Sequence, residues 1–171
     1  MDPSYKEKEV EDMSDILGER LVDLTVGELM IPAEQVAHVQ QGNPIEHALL
    51  LLVQSGYSSV PVLDADYRLK GIIGKTPILK SVTGLERFEM EKMADIKVED
   101  VMKSGQPALQ MDSSFLTGLK VVIDHAFACV VDENNYFLGI LTRRAILKEV
   151  NKSIYNTESH KRVQMEHTSF K

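Results

Sequence analysis

The chain has 171 residues, 43% of them apolar, which suits one domain or two small halves with a shared core and argues against disorder away from the ends. The formal net charge of −7 disfavours nucleic acid or an anionic membrane surface as a general partner, so an anionic ligand needs a local basic pocket. The single cysteine, Cys129, permits no intramolecular disulfide, and its apolar run Ala128-Cys129-Val130-Val131 predicts a buried, unreactive thiol.

Residues 1–24 open with a polar stretch that lacks the apolar core of a secretion signal. Val10, Met13, Ile16, Leu17, Leu21 and Leu24 lie on one face of an amphipathic lead-in helix. No run approaches the length of a membrane span, and a cytoplasmic protein is expected.

Next comes Val26-Gly27-Glu28-Leu29-Met30. Asn43 and Pro44 then read as the cap and first residue of a helix. Its apolar face is Ile45, Ala48, Leu49, Leu52 and Val53. A buried strand is expected at Val60–Leu63, a turn at Asp64-Ala65-Asp66, a strand at Leu69–Ile73, and then a second helix. Residues 83–96 form a Glu-, Met- and Lys-rich linker with a short helix, and Leu85, Phe88 and Met93 are its candidate packing residues. Its acidic run, Glu86 to Glu91, reads as a solvated face.

The same order then returns. Val98 to Met102 answers Val26 to Met30. Ser113 caps a helix whose face is Phe115, Gly118, Leu119, Val122 and Ile123. Strands follow at Ala128–Val131 and Phe137–Leu141, joined by Asp132-Glu133-Asn134-Asn135. The match is closest between Gly71-Ile72-Ile73-Gly74-Lys75-Thr76-Pro77-Ile78-Leu79-Lys80-Ser81-Val82 and Gly139-Ile140-Leu141-Thr142-Arg143-Arg144-Ala145-Ile146-Leu147-Lys148-Glu149-Val150. Two repeats, 25–82 and 97–150, each run β-α-β-β-α. Neither can bury its own helices and sheet alone, so the pair is expected to pack as two sheets in pseudo-twofold symmetry. The polar tail, 151–171, is expected to fray.

Read for chemistry, Arg143 and Arg144 stand where the last strand turns into a helix, with Thr142 as a natural N-cap. Free N–H groups there suit phosphate. Two cations in a first turn oppose the helix dipole by about 0.3–1 kcal/mol each, and a broken local rule of this kind marks function. The alternative is a surface pair answering acidic residues elsewhere. His38, His47, His125, His160 and His167 show no metal spacing; His38, in an apolar strand, and His47, on the first helix, read as structural or solvated. No nucleophile elbow, phosphate-binding glycine loop or paired carboxylates is visible, so no enzyme is expected.

The doubled set of Val26-x-x-Leu29-Met30, the helix from Ile45 to Val53, Gly56-Tyr57-Ser58-Ser59-Val60-Pro61-Val62-Leu63-Asp64 and Gly71-Ile72-Ile73-Gly74 resembles the CBS domain. The fold this implies is a mixed α/β (α+β) tandem CBS-domain pair, or Bateman module, which commonly binds an adenine nucleotide in the cleft between repeats and dimerises. Val36-Ala37-His38-Val39-Gln40, Glu46-His47-Ala48-Leu49-Leu50, Gly84-Leu85-Glu86-Arg87 and Thr142-Arg143-Arg144 further resemble the small stand-alone bacterial CBS proteins that bind cyclic di-AMP.

That resemblance implies a ligand site of Gln35, Val36, Ala37, Tyr57, Ser58, Ser59, Thr142, Arg143 and Arg144, with no metal and no catalytic residue. Ala37 lets a base approach backbone groups, and Tyr57 offers an aromatic face beside two hydroxyls. Pro107, Phe127 and Lys75 mark a second, weaker or empty pocket. Many AMP- or ATP-binding CBS repeats carry an acid three positions after a Ser or Thr at the second helix, where it holds the ribose. Here Thr142 is followed by Ala145, and Gly74-Lys75-Thr76-Pro77 has no Asp. That departure favours cyclic di-AMP over an AMP- or ATP-sensing role. A ligand-free structural adaptor is the third reading. The resemblance also implies a homodimer and a regulated protein partner, with a (p)ppGpp synthetase/hydrolase and pyruvate carboxylase as candidates.

Overall fold

The structure is a computed structural model that describes residues 21, 23–84 and 87–168, with side chains through 155. Repeat 1 comprises α1 (Val26–Leu29), β1 (Ile31–Pro32), a 3₁₀ turn (Ala33–Gln35), β2 (Val39–Gln40), α2 (Ile45–Ser55), β3 (Ser59–Leu63), β4 (Leu69–Gly74) and α3 (Lys75–Ser81). After a 3₁₀ turn at Met90–Ala94, repeat 2 comprises α4 (Val98–Val101), β5 (Ala108–Leu109), α5 (Phe115–Asp124), β6 (Phe127–Val131), β7 (Phe137–Thr142) and α6 (Arg143–Thr168). The mixed fold with its doubled β-α-β-β-α order is the expected one. One sheet has the order β2-β3-β4, and the other β1-β7-β6-β5.

Two compact units are present, and they do not follow the repeats. One contains residues 1–31, 109–128 and 141–171, and the other 32–108 and 129–140. Hydrogen bonds show why. In the first unit the repeat 1 lead-in serves the repeat 2 helix: the N–H of Phe115 donates to Leu24 O (2.9 Å), Val26 to Ser113 O (2.9 Å) and Gly27 to Met111 O (2.8 Å). In the second unit the roles reverse. Ile45 donates to Ile96 O (2.9 Å), Val98 to Asn43 O (2.9 Å) and Glu99 to Gln41 O (3.0 Å). The starts of α1, α2, α4 and α5 therefore receive backbone partners from the other repeat or the segment leading into it.

Both lead-in helices begin the same way. Glu28 accepts from the backbone N–H and hydroxyl of Thr25 (2.8 and 3.0 Å), and Asp100 from the N–H of Lys97 (3.2 Å). The backbone bond, then the hydroxyl, hold the Glu28 carboxyl below its ordinary range.

Several expectations shift on contact with the structure. The α2 N-cap is Pro44 rather than Asn43, whose backbone is drawn into a turn with Gln40 and a bond to Val98. The α5 N-cap is Ser114, whose hydroxyl accepts from the Thr117 N–H (3.3 Å); the Ser113 hydroxyl serves Gln110 instead. The fifth position of each predicted helix face is exposed, Val53 at 62% and Ile123 at 63%, while the other four are buried or half-buried. The tail does not fray at 151: α6 runs to Thr168, across a stretch without Gly or Pro. In the linker, Met93 joins the core, Phe88 is exposed, and Leu85 lies outside the described residues. Of the lead-in helix only its end is described, where Leu21 is buried; Val10, Met13, Ile16 and Leu17 lie outside.

The second unit's core gathers Val39, Ile45, Ala48, Leu52, Val60, Val62, Ile73, Ile78, Val82, Met93 and Val98. Cys129 is buried, and burial pushes its thiol up to about 12, as expected of a structural cysteine. No helix of the described residues is long and apolar enough to cross a membrane.

Gly71 is fixed by a close approach. A Cβ there would lie 2.5 Å from the Lys103 carbonyl oxygen, beside the paired bonds between Ile72 and Lys103 (3.0 and 2.9 Å). Backbone cannot yield as a side-chain tip does. Gly71→Ala is expected to cost about 1–3 kcal/mol by overpacking, read as a lower denaturation midpoint. Gly42→Ala, with nothing within 4 Å, is the control and leaves the midpoint unchanged or slightly raised.

Candidate functional site

The expected site residues fall into two groups. Gln35, Val36, Ala37, Tyr57, Ser58 and Ser59 belong to the unit of residues 32–108 and 129–140, whereas Thr142, Arg143 and Arg144 belong to the other.

In the first group, the 3₁₀ turn ends at Gln35, and Val36 closes it by donating to Ala33 O (3.0 Å). Gln35 is exposed, and Ala37 is half-buried with its methyl packed on the apolar core. His38 holds the loop of residues 35–37 in place. Its Nδ1 lies 3.1 Å from Val36 O, so the tautomer or cation bearing a proton there donates to the carbonyl. The His38 ring meets Tyr67 edge-on at 5.7 Å and lies 6.5 Å from Phe137. The sequence expectation of a structural His38 agrees with these contacts, but its bond to Val36, inside the candidate site, was not foreseen.

Tyr67 is itself held by a turn that both repeats share. Asp64 Oδ1 accepts from the Asp66 and Arg68 N–H groups (3.0 and 2.9 Å), and Asp132 Oδ1 from those of Asn134 and Tyr136 (2.9 and 2.8 Å). Each turn places a non-glycine residue at positive φ, Tyr67 at 61° and Asn135 at 65°. The turns then exchange bonds: Leu69 donates to Asn135 O and Phe137 to Tyr67 O, both at 3.0 Å. Beyond α2, Gly56 adopts a left-handed conformation (φ 75°) and the chain emerges at Tyr57, whose side chain is 54% exposed. Ser58 is exposed, and its carbonyl accepts from the N–H of Lys75 (3.2 Å); Ser59 begins β3. This gives an exposed aromatic face and two hydroxyls at one strand entrance.

In the second group, Thr142 caps α6 as expected, its Oγ1 accepting from the Ala145 N–H at 3.1 Å. The two arginines differ. Arg143 directs Nε to Val122 O (2.8 Å) and an Nη to Ile123 O (3.1 Å), two carbonyls at the end of α5. Arg144 is exposed and has no side-chain partner among the described residues. A sequence signal for the Arg143 contact existed: α2 ends on Gly56, whereas α5 is followed by His125 and Ala126, with no glycine to close it.

For the second expected pocket, Lys75 opens α3, Pro107 is exposed, and Phe127 is half-buried at the start of β6. Among the described residues no group of three or more His, Cys, Asp or Glu could hold a metal ion.

The chain matches the CBS domain over residues 26–83 and 98–152. It is 47% identical over 142 residues to cyclic di-AMP receptor B of Bacillus subtilis (strain 168), covering 83% of this chain and 97% of that protein. Among solved structures it is similar to a CBS domain-containing protein of unknown function from Bacillus anthracis, with 53% identity and a TM-score of 0.74 over 78% of this chain and 97% of that one. It is also similar to the CbpB protein of Listeria monocytogenes in complex with c-di-AMP, with 45% identity and a TM-score of 0.71 over 76% and 97% of the two chains.

Proposed function

This chain belongs to the CBS domain family, and from that premise we propose that it is a non-catalytic, cytoplasmic receptor for cyclic di-AMP that regulates a partner protein. The observation that carries the reading is the likeness to cyclic di-AMP receptor B, which runs through nearly all of that protein. The similar CbpB structure contains c-di-AMP.

The chemistry of the two residue groups supports it. The backbone of Gln35, Val36 and Ala37, with the Tyr57 ring and the Ser58 and Ser59 hydroxyls, is assigned to the base and its sugar. The start of α6, Thr142 to Arg144, is assigned to phosphate. The third helical position there is Ala145, whose N–H is already spent on Thr142. With no carboxylate at that place, a ribose with both the 2′ and 3′ hydroxyls free lacks an acceptor for the pair, whereas in a cyclic dinucleotide the 3′ oxygen is esterified and only the 2′ hydroxyl remains. Exposed Leu50, Val53, Ile123 and Leu147 are assigned to a homodimer surface. The partner acts by preferring one state of the receptor, ligand-free or loaded, over the other. The (p)ppGpp synthetase/hydrolase and pyruvate carboxylase remain its candidates.

Titration calorimetry with cyclic di-AMP, AMP, ATP and cyclic di-GMP tests the proposal. Cyclic di-AMP is expected to bind tightest, by tenfold or more, which corresponds to about 1.4 kcal/mol. Guanine sets a carbonyl and an amine against backbone groups arranged for adenine, leaving buried polar atoms unpaired. Equal affinity for cyclic di-GMP, or tighter binding of ATP or AMP, rejects this ligand. No binding of any of the four supports the adaptor reading.

A further inference from the structure

Repeat 2 does not copy the pair His38 and Tyr67. At the spacing that sets Ile45 against Phe115, Val39 and Gln40 match Leu109 and Gln110, and His38 falls on Ala108. At the spacing that sets Asp64 against Asp132, Tyr67 falls on Asn135. Both turns are left-handed at this residue, with φ 61° at Tyr67 and 65° at Asn135. Asn tolerates that conformation, whereas a bulky side chain is strained in it. The turn does not explain the choice, because the same pair of bonds to its aspartate forms around Asn135. Burial does not explain it either, because Tyr67 is 56% exposed. Strain kept without a local need points to function. The Tyr67 ring meets His38 edge-on at 5.7 Å, and the buried Phe137 lies 6.5 Å from the same imidazole.

His38 in turn reaches the loop assigned to the base. Its Nδ1 lies 3.1 Å from Val36 O. A carbonyl only accepts, so the contact selects a ring protonated at Nδ1. The Val36 N–H is engaged as well, closing the 3₁₀ turn on Ala33 O at 3.0 Å. The two peptide planes that flank Val36 are therefore each fixed by one bond. The second of them carries Val36 O on one edge and the Ala37 N–H on the other, and a trans peptide is planar. Fixing the carbonyl fixes the direction of that N–H. We infer that His38 is a positioning residue for base recognition: by holding Val36 O it aims the Ala37 N–H, and Tyr67 is kept in its strained conformation to hold the His38 ring. Ala108, the repeat 2 counterpart, has neither ring nor donor for such a tie. The inference rests on the proposed cyclic-di-AMP reading of the loop and deepens it.

Two substitutions at one position separate the bond from the packing. His38→Phe keeps a ring against Tyr67 and Phe137 but removes the donor. His38→Asn loses the ring and keeps the donor, because its amide nitrogen stands the same number of bonds from the backbone as Nδ1. Both are titrated with cyclic di-AMP by calorimetry, with the ligand-free melting temperature measured on the same proteins. His38→Phe is expected to weaken binding about three- to tenfold, since a loop left free has to be ordered at binding, and to melt close to the parent. His38→Asn is expected to recover most of the affinity while melting lower. Tyr67→Asn, which installs the repeat 2 residue, is expected to weaken binding with a melting temperature unchanged or raised; it carries the test if a His38 variant does not fold. Hydrogen exchange without ligand reads the loop directly: the Val36 N–H exchanges faster in His38→Phe than in the parent or in His38→Asn. The reverse order, with His38→Asn binding worse than His38→Phe and affinity following the melt, makes His38 a packing residue and overturns the inference. Parental affinity in His38→Phe overturns it too, and parental affinity in Tyr67→Asn overturns the part given to the strained ring. A parent chain that binds no cyclic di-AMP is a different failure: it removes the receptor reading first, and the positioning role with it.

Discussion

Arg144→Ala is expected to weaken cyclic-di-AMP binding ten- to a hundredfold without destabilising the ligand-free protein. A charge-assisted hydrogen bond to phosphate contributes about 1.5–3 kcal/mol, which sets that range of fold-change. The side chain is exposed and makes no intramolecular bond among the described residues, so its removal breaks nothing within the fold. It also takes a positive charge from the start of α6, which favours the folded state by about 0.3–1 kcal/mol. Affinity and stability should therefore move in opposite directions, a combination that general damage to the fold cannot produce. Calorimetry for the ligand and a thermal melt without it check both halves. Unchanged affinity removes Arg144 from the site, and a lowered melting temperature shows that it carries an unseen structural contact. Arg144→Lys is expected to recover only part of the binding, because a point charge replaces a planar fork.

Legibility in the sequence followed the range of the interaction. The strands were readable because β3 and β6 are short apolar runs, Val60-Pro61-Val62-Leu63 and Ala128-Cys129-Val130-Val131, and all eight residues are buried. The turns were readable because Asp64 and Asp132 act on backbone within a few residues of themselves. Helix starts were readable only to within a residue, since Asn43 and Ser113 had the right chemistry but were taken by neighbouring turns. The exchange of lead-ins was not readable at all. Its bonds join backbone atoms such as Phe115 N and Leu24 O, and backbone pairing leaves no residue-type signature. The candidate site shows the same division. Thr142 announces itself as a cap, whereas the acceptors of Arg143 lie on another helix and become known only once the fold brings α5 to the start of α6.

That exchange predicts where the chain is least tolerant. Phe115→Ala is expected to cost about 3–5 kcal/mol, a large part of the about 5–15 kcal/mol that holds a typical domain. The ring is 1% exposed and is among the largest fully buried side chains. Its removal deletes apolar contact and opens a cavity, and the loss depends on how far the surroundings can collapse. Here they are restrained. The Phe115 N–H is tied to Leu24 O, and the neighbouring Ser113 O to the Val26 N–H, so the first turn of α5 cannot slide inward without breaking the lead-in of the other repeat. Nearby, a Cβ built on Gly118 would already lie 2.6 Å from Leu141 and 3.2 Å from Val26, so the helix has no slack toward the sheet on that side. The cost should fall in the upper half of the range and show as a lower urea midpoint with an unchanged slope. Ile123→Ala, on the same helix but 63% exposed, is the comparison, with an expected change within about 0.5 kcal/mol for the isolated chain. Running both variants at two protein concentrations separates burial within the chain from burial by a second copy: the Phe115 loss stays constant, whereas any loss at Ile123 that grows with concentration belongs to a subunit interface. A Phe115→Ala midpoint within error of the parent would show that the cavity closes, and with it that the lead-in bonds do not hold the start of α5 in place.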